Sequence, residues 1–324
     1  SGSKPSRLAY PCQQAAFSTA TLALLTPVVS SLVAARRGIA TGLRTRVGLA
    51  ALAIAVITPL LVWGAVTQLG RDVERLLPPP DYRAQVFSVT NCPRDPVGDH
   101  FPGLDNLLAL MGENGLKYYA SATAGRLSGP AGIIANHDVV IIKINYQWSD
   151  RGGTNTDLLR GLIRSILDHP DGFSGEIVVC ENTQSVSVDG FDRADNNCEG
   201  HAQSPLDVVR DFAERGDPVS IYDWSALRYQ LVHEFSDGDS NDGYVVYDYD
   251  NQFRGRVSYP KFTTDLATAI SFRDGVWDPA SETYDRQRLK VLNVPVLKSH
   301  SAAYGATACV KHYMGVVTDS LSTY

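Results

Sequence analysis

No two of the five cysteines (Cys12, Cys92, Cys180, Cys198 and Cys309) stand at C-x-x-C spacing. A zinc ribbon or ferredoxin-type centre therefore has no ligand set, and no iron–sulfur cluster is expected. Cationic blocks are missing from the chain after residue 70, and the whole sequence sets 29 Lys and Arg against 35 Asp and Glu. Phosphate backbones are held by clustered cations, so no nucleic acid partner is expected. There is no Gly-x-Ser-x-Gly elbow, Walker loop, GxGxxG turn or HExxH helix, which leaves hydrolase, NTPase, dinucleotide and zinc-peptidase classes without support. The part after the linker has no internal repeat. At 324 residues the chain exceeds one average domain, which implies one large or two smaller units.

Long apolar runs are present, and both lie near the start. Residues 15–35 and 47–70 carry no charge, and each meets the roughly 20 residues needed to cross a bilayer core. Each has a Thr-Pro step near its middle, Thr26-Pro27 and Thr58-Pro59, which membrane helices tolerate. Arg36, Arg37, Arg44 and Arg46 lie between the runs and fix that loop on the cytoplasmic side. The sequence thus predicts an N-terminal two-helix transmembrane hairpin over 1–70, with the lipid bilayer as partner and the rest of the chain outside, on the periplasmic or cell-surface side. A cleaved signal peptide is the rival for the first run, but a second apolar run follows at once. Two buried helices of a soluble bundle are a further rival, although neither run has a polar face.

Residues 71–83 read as a linker, stiffened by Pro78, Pro79 and Pro80. From Ala84 to Tyr324 the pattern is α/β. Strands are expected at 84–89, 138–145, 176–180 and 219–222, and helices at 104–111, 155–167 and 206–215, the first helix stopped by Gly112 and Gly115. Uniformly apolar strands alternating with amphipathic helices predict a largely parallel sheet covered on both faces. Short Tyr-rich strands at 244–249, 256–259 and 269–272 read as an antiparallel excursion before the main sheet resumes at Val291.

The stretch from Leu289 to Gly315 organises the domain. An apolar run is bounded by Lys298 and His300, a small-residue turn follows, and a helix-like segment then carries Lys311 and His312. This reads as a strand delivering Lys298 and His300 at its carboxyl end, where open α/β sheets place ligands.

Five blocks carry a resemblance: IIKIN (141–145), TNTDLLRGLI (154–163), HPDGF (169–173), VVCENTQ (178–184) and VPVLKSH…GATACVKHYMG (294–315). Together they resemble the DUF362 domain, a family named for its lack of an assigned function, over the chain from Ala84 onward. The resemblance implies an α/β fold. Some relatives add a ferredoxin-like module, but this chain lacks the cysteines for it. Relatives also continue beyond the KHYMG block, so the resemblance implies either a truncated domain or a tail past Tyr324.

Several constellations could carry chemistry. Lys143 and Asn145 end one strand, Thr154, Asn155, Thr156 and Asp157 open a helix, and Glu181 and Asn182 follow the next strand. Lys298, His300, Thr307 and Lys311 come from the organising stretch. The helix opening offers N–H groups to an anion, the lysines suit a carboxylate or phosphate, and His300 suits proton transfer. Lys298, His300 and Lys143 are thus the catalytic candidates, and Asn145, Thr154, Asn155, Asp157, Glu181, Asn182, Thr307 and Lys311 the candidates for binding a small anionic ligand. A plainer arrangement fits the same residues: Lys143 bridges Glu181, and Asn155 caps its helix.

Asp237, Asp239, Asn241 and Asp248 have the alternation of a calcium loop, but Gly243 falls one place late and the last ligand is Asp. A solvated acidic turn fits better. His169, His300 and His312 show no paired-histidine helix, so no metal is assigned, and no cofactor is identified. Cys180 and Cys198 can close a disulfide across one loop on an oxidising side, or stay as two buried thiols. Two functions remain open: a membrane-anchored protein with a ligand-binding, catalysis-capable crevice, or a docking subunit of a larger membrane complex or filament, for which 15 tyrosines suit a contact surface.

Overall fold

The computed structural model describes residues 85–93, 95–146, 153–183, 203–247 and 257–296, together with 298–301, 305–307, 312–313 and 316. The chain divides into two compact units, Ser1–Val86 and Phe87–Tyr324. The expected membrane hairpin and the linker at 71–83 lie outside the described residues. Among the described residues no helix is long and apolar enough to cross a membrane.

The strand expected at 84–89 is not found among the described residues there. Residues 85–90 have no regular structure and Val86 is 87 % exposed; alternation without a partner strand leaves the backbone to water. Helix α1 (Pro102–Glu113) follows, with Pro at its start where no N–H is needed. Gly112 lies inside α1 rather than stopping it, because the helix passes so close to the next segment that a Cβ there would meet Arg126 O at 2.2 Å. Three two-residue strands, β1 (Tyr119–Ala120), β2 (Ser128–Gly129) and β3 (Ile134–Ala135), form a small parallel sheet.

The apolar runs then become β4 (Val139–Lys143) and β5 (Glu176–Glu181), buried at every residue, followed by β6 (Val219–Asp223). Helix α2 (Thr156–Leu167) joins the first two and α3 (Pro205–Glu214) the last two. Asn155 caps α2 by accepting from Leu158 N at 3.0 Å. Ser204 and Asp207 close a reciprocal capping box on α3.

A second sheet takes up the Tyr-rich region: β7 (Leu231–Val232), β8 (Gly243–Tyr247), β9 (Val257–Thr263), β10 (Ala269–Ser271), β11 (Gly275–Asp278) and β12 (Thr283–Asp285). It is antiparallel throughout except for the edge pair β7–β8. The chain then returns as β13 (Leu289–Asn293), parallel to β4, giving a main sheet of order β13-β4-β5-β6.

Side chains of the main sheet alternate between two cores. Val140, Ile142, Ile177 and Val179 join Leu159, Ile163, Ile166, Val208 and Phe212 from the helices. Val139, Ile141, Val178 and Cys180 join Trp224, Tyr244, Phe262, Ile270 and Val276 on the other side. The parallel sheet is therefore covered by helices on one face and by the second sheet on the other.

Candidate functional site

Parallel pairing aligns the carboxyl ends of the main strands. Lys143, the last residue of β4, lies opposite Asn293 of β13 and Cys180 of β5, and Glu181 lies opposite Asp223 of β6. The chain steps from β4 to β5 to β6 in one direction and later adds β13 on the far side of β4. The strand order therefore reverses between β13 and β4, and a crevice forms outside the carboxyl ends at such a reversal.

A compact ionic cluster occupies that point. Lys143 is 1 % exposed and Glu181 4 %. Lys143 Nζ donates to Glu181 Oε2 at 2.7 Å and to Ile144 O at 2.8 Å. Glu181 also accepts from Tyr146 N at 3.2 Å and Asn182 N at 3.0 Å. Burial pushes the Glu181 carboxyl above the usual carboxylate range, while the Lys143 ammonium and these two N–H groups pull against it.

His312, 8 % exposed, completes the cluster from the C-terminal stretch. Its Nε2 stands 2.7 Å from Ile144 O, 3.3 Å from Lys143 Nζ and 4.0 Å from Glu181 Oε2. Its Nδ1 meets Asn293 Oδ1. With Asn293 oriented so, Nδ1 is a donor, and Nε2 lies between a carbonyl that can only accept and an ammonium that can only donate. A histidine held between a lysine, a carboxylate and an amide can hold or move a proton.

The other expected residues separate into groups. Thr154 ties the segments after β4 and β13 together: its Oγ1 accepts from Asn145 N at 2.8 Å and lies 3.3 Å from Val294 O, while its N–H donates to Asn145 O at 2.8 Å. Asp157 is buried in the first turn of α2, so the helix start already holds a carboxylate of its own where an anion was expected. Asn182 Oδ1 accepts from Arg228 Nη2 at 2.7 Å.

Lys298 and His300 do not end the returning strand. Strand β13 stops at Asn293, and the two residues lie on β14 (Lys298–Ser301), which pairs antiparallel with β15 (Gly305–Thr307), Lys298 opposite Thr307. Pro295 lacks the N–H that a continuing ladder needs, which separates the two strands. Lys311 lies outside the described residues, as do the side chains of Lys298, His300 and Thr307.

In the acidic turn, Asp239 accepts from His233 N at 2.9 Å, Asn241 N at 3.0 Å and Asn241 Nδ2 at 2.9 Å. The backbone N–H groups of His233 and Asn241 draw the Asp239 carboxyl down to about 2. Lys261 Nζ donates to Asp239 O at 2.5 Å, so a side-chain cation serves the loop from within the fold. Asp248 lies outside the described residues, and among those described no group of three His, Cys, Asp or Glu could hold a metal ion. Cys180 is a free, buried thiol facing the second core, its pKa raised by that burial. The disulfide considered above is therefore not formed at Cys180, and Cys198 lies outside the described residues.

His312, Asn293 and Arg228 were not among the candidate site residues taken from the sequence. Asn293 carries the one usable signal, a polar residue closing an apolar strand that pairs in register with Lys143. In the sequence, His312 is marked only by its neighbour Lys311 and by its place among the histidines weighed as metal ligands. Comparison of the chain with family models, with curated proteins and with solved structures finds no match in any of the three.

Proposed function

We propose that this chain is a membrane-anchored, extracytoplasmic DUF362-like protein that binds a small anionic ligand outside the carboxyl ends of β13, β4 and β5, next to a proton-handling centre. One observation carries the site: a nearly inaccessible lysine, glutamate and histidine converge at the strand-order reversal rather than in either apolar core. Buried ion pairs add little stability over well-packed apolar residues, so a pair held at a ligand crevice is better accounted for by chemistry than by folding. The DUF362 resemblance and the anchor rest on the sequence blocks and apolar runs described above.

The test separates chemistry from scaffolding. The double variant Lys143→Met/Glu181→Leu removes both charges and should keep the unfolding midpoint, since such replacements are neutral or stabilising by about 1–4 kcal/mol. Inorganic phosphate or succinate should raise the wild-type midpoint, with about 2.7 kcal/mol of stabilisation at a hundredfold excess over Kd, and should leave the double variant unmoved. Equal responses from both proteins would reject the centre. Protease protection of the domain in sealed inside-out vesicles, set against digestion in spheroplasts, checks the orientation; the reverse pattern would place the domain inside.

A further inference from the structure

Arg228 stands at the same carboxyl rim and is used by neither core. It caps the short 3₁₀ turn Trp224–Leu227 that leaves β6, and it is half-buried. Its Nη2 is held at 2.7 Å by Asn182 Oδ1, the residue that follows Glu181 at the end of β5. Among the described residues no carboxylate pairs with it. The two acids at these strand ends are engaged elsewhere. Glu181 faces Lys143, and Asp223 accepts from Thr183 Oγ1 at 2.9 Å and Ser225 N at 2.8 Å. The Nε–H of Arg228 is buried and has no acceptor among the described residues.

A buried donor left unpaired carries its full desolvation cost, more when it belongs to a charged group. An arginine fixed by an asparagine, with no carboxylate partner among the described residues and with an unused donor, is prepared for a further acceptor. Guanidinium N–H groups present a planar fork that matches carboxylate and phosphate oxygens. Lys143 is already shared with Glu181, so an oxyanion at this rim needs a second cation to hold it. We infer that Arg228 is the oxyanion-recognising residue of this crevice, with Asn182 as its positioning residue, and that the ligand carries a carboxylate or phosphate group. The inference rests on the strand-end site proposed above and assigns recognition to the β5–β6 side of it.

The experiment measures phosphate and succinate binding to the full chain by titration calorimetry, with succinamide as the uncharged counterpart. Arg228→Lys keeps the charge and can keep the Asn182 contact, but it has no Nε donor. It should lose about tenfold or more in affinity, and Arg228→Gln more still. Succinamide should not bind. A preference for phosphate or for succinate identifies which oxyanion the fork accepts. If Arg228→Lys binds as tightly as wild type, the buried donor is served by water and the inference is overturned; simultaneous loss in Lys143→Met/Glu181→Leu would show that the crevice itself survives. Loss in both arginine variants with retention in the double variant supports Arg228 and rejects the lysine centre. Binding of neither anion by the wild-type chain overturns both.

Discussion

Glu234 has the same problem as Lys143 and Glu181, a buried charge, and a different solution. Only 6 % exposed, it accepts from Tyr259 OH at 2.7 Å, Ser271 Oγ at 2.9 Å and Tyr284 OH at 2.5 Å. Three hydroxyls on β9, β10 and β12 thereby converge on the residue that begins the 3₁₀ turn Phe235–Asp237. Glu234→Ala leaves all three without their acceptor and should cost about 3–5 kcal/mol, whereas Glu234→Gln keeps an acceptor oxygen and should cost about half as much. Urea unfolding reads both, and a loss below about 1 kcal/mol for the alanine variant would mean that the hydroxyls simply turn to water. Nothing in the local sequence singles out Glu234. Its partners lie 25, 37 and 50 residues away, so the network exists only once the second sheet has assembled.

At the scale of elements, helix α2 is where local and tertiary preferences oppose each other. Gly161 sits in its interior, where alanine would gain about 1 kcal/mol in helix propensity. A Cβ there would lie 2.6 Å from Phe101 Cβ and 2.9 Å from Phe101 N. Backbone cannot rotate away from such a contact, and overpacking costs about 1–3 kcal/mol, so Gly161→Ala should lose up to about 2 kcal/mol net despite its better propensity. A stabilised variant in thermal unfolding would show that α2 and the segment before α1 are not tightly packed. Elements with a local signature were legible in advance: the uniformly apolar β4 and β5, and α2 with its Asn155 cap. What depends on distant pairing was not. Lys143 and His312 meet across 169 residues, and the pairing of β13 with β4, which sets Asn293 beside Lys143, is long-range too. The sequence puts Lys298 and His300 at the end of β13 because the apolar pattern runs on through Val294 and Val296, while Pro295 breaks the ladder that the pattern implies. Half of the candidate centre, Lys143 and Glu181, was legible because each ends an apolar run; His312 and Arg228 belong to segments that show no such periodicity.

Across the whole molecule, the charge state is governed by tyrosine at the alkaline end. Tyr118, Tyr119 and Tyr259 are buried, and burial raises the pKa of each, with the neighbouring Glu234 raising Tyr259 further. Burial raises Tyr222 and Tyr284 as well, and Asp242 and Glu234 beside them add to it. A phenol whose pKa is higher in the fold than in the unfolded chain contributes stability in full below about pH 10, and that contribution is lost as pH rises from there toward the folded value. In that window the unfolded chain releases protons that the folded chain keeps. The three buried phenols alone give a slope of up to about 4 kcal/mol per pH unit, at about 1.36 kcal/mol each. These phenols lie in both layers, Tyr118 and Tyr119 in the helix-side core and Tyr259 in the second sheet. Unfolding above pH 10 should therefore be a single cooperative step in which phenolate absorbance and loss of far-UV helical signal coincide. Phenolate absorbance that grows smoothly while the helical signal stays intact would mean that these tyrosines reach solvent in the folded state. Two separate steps would instead show that the helix-covered sheet and the Tyr-rich sheet unfold independently, although Val139, Ile141, Val178 and Cys180 pack between them.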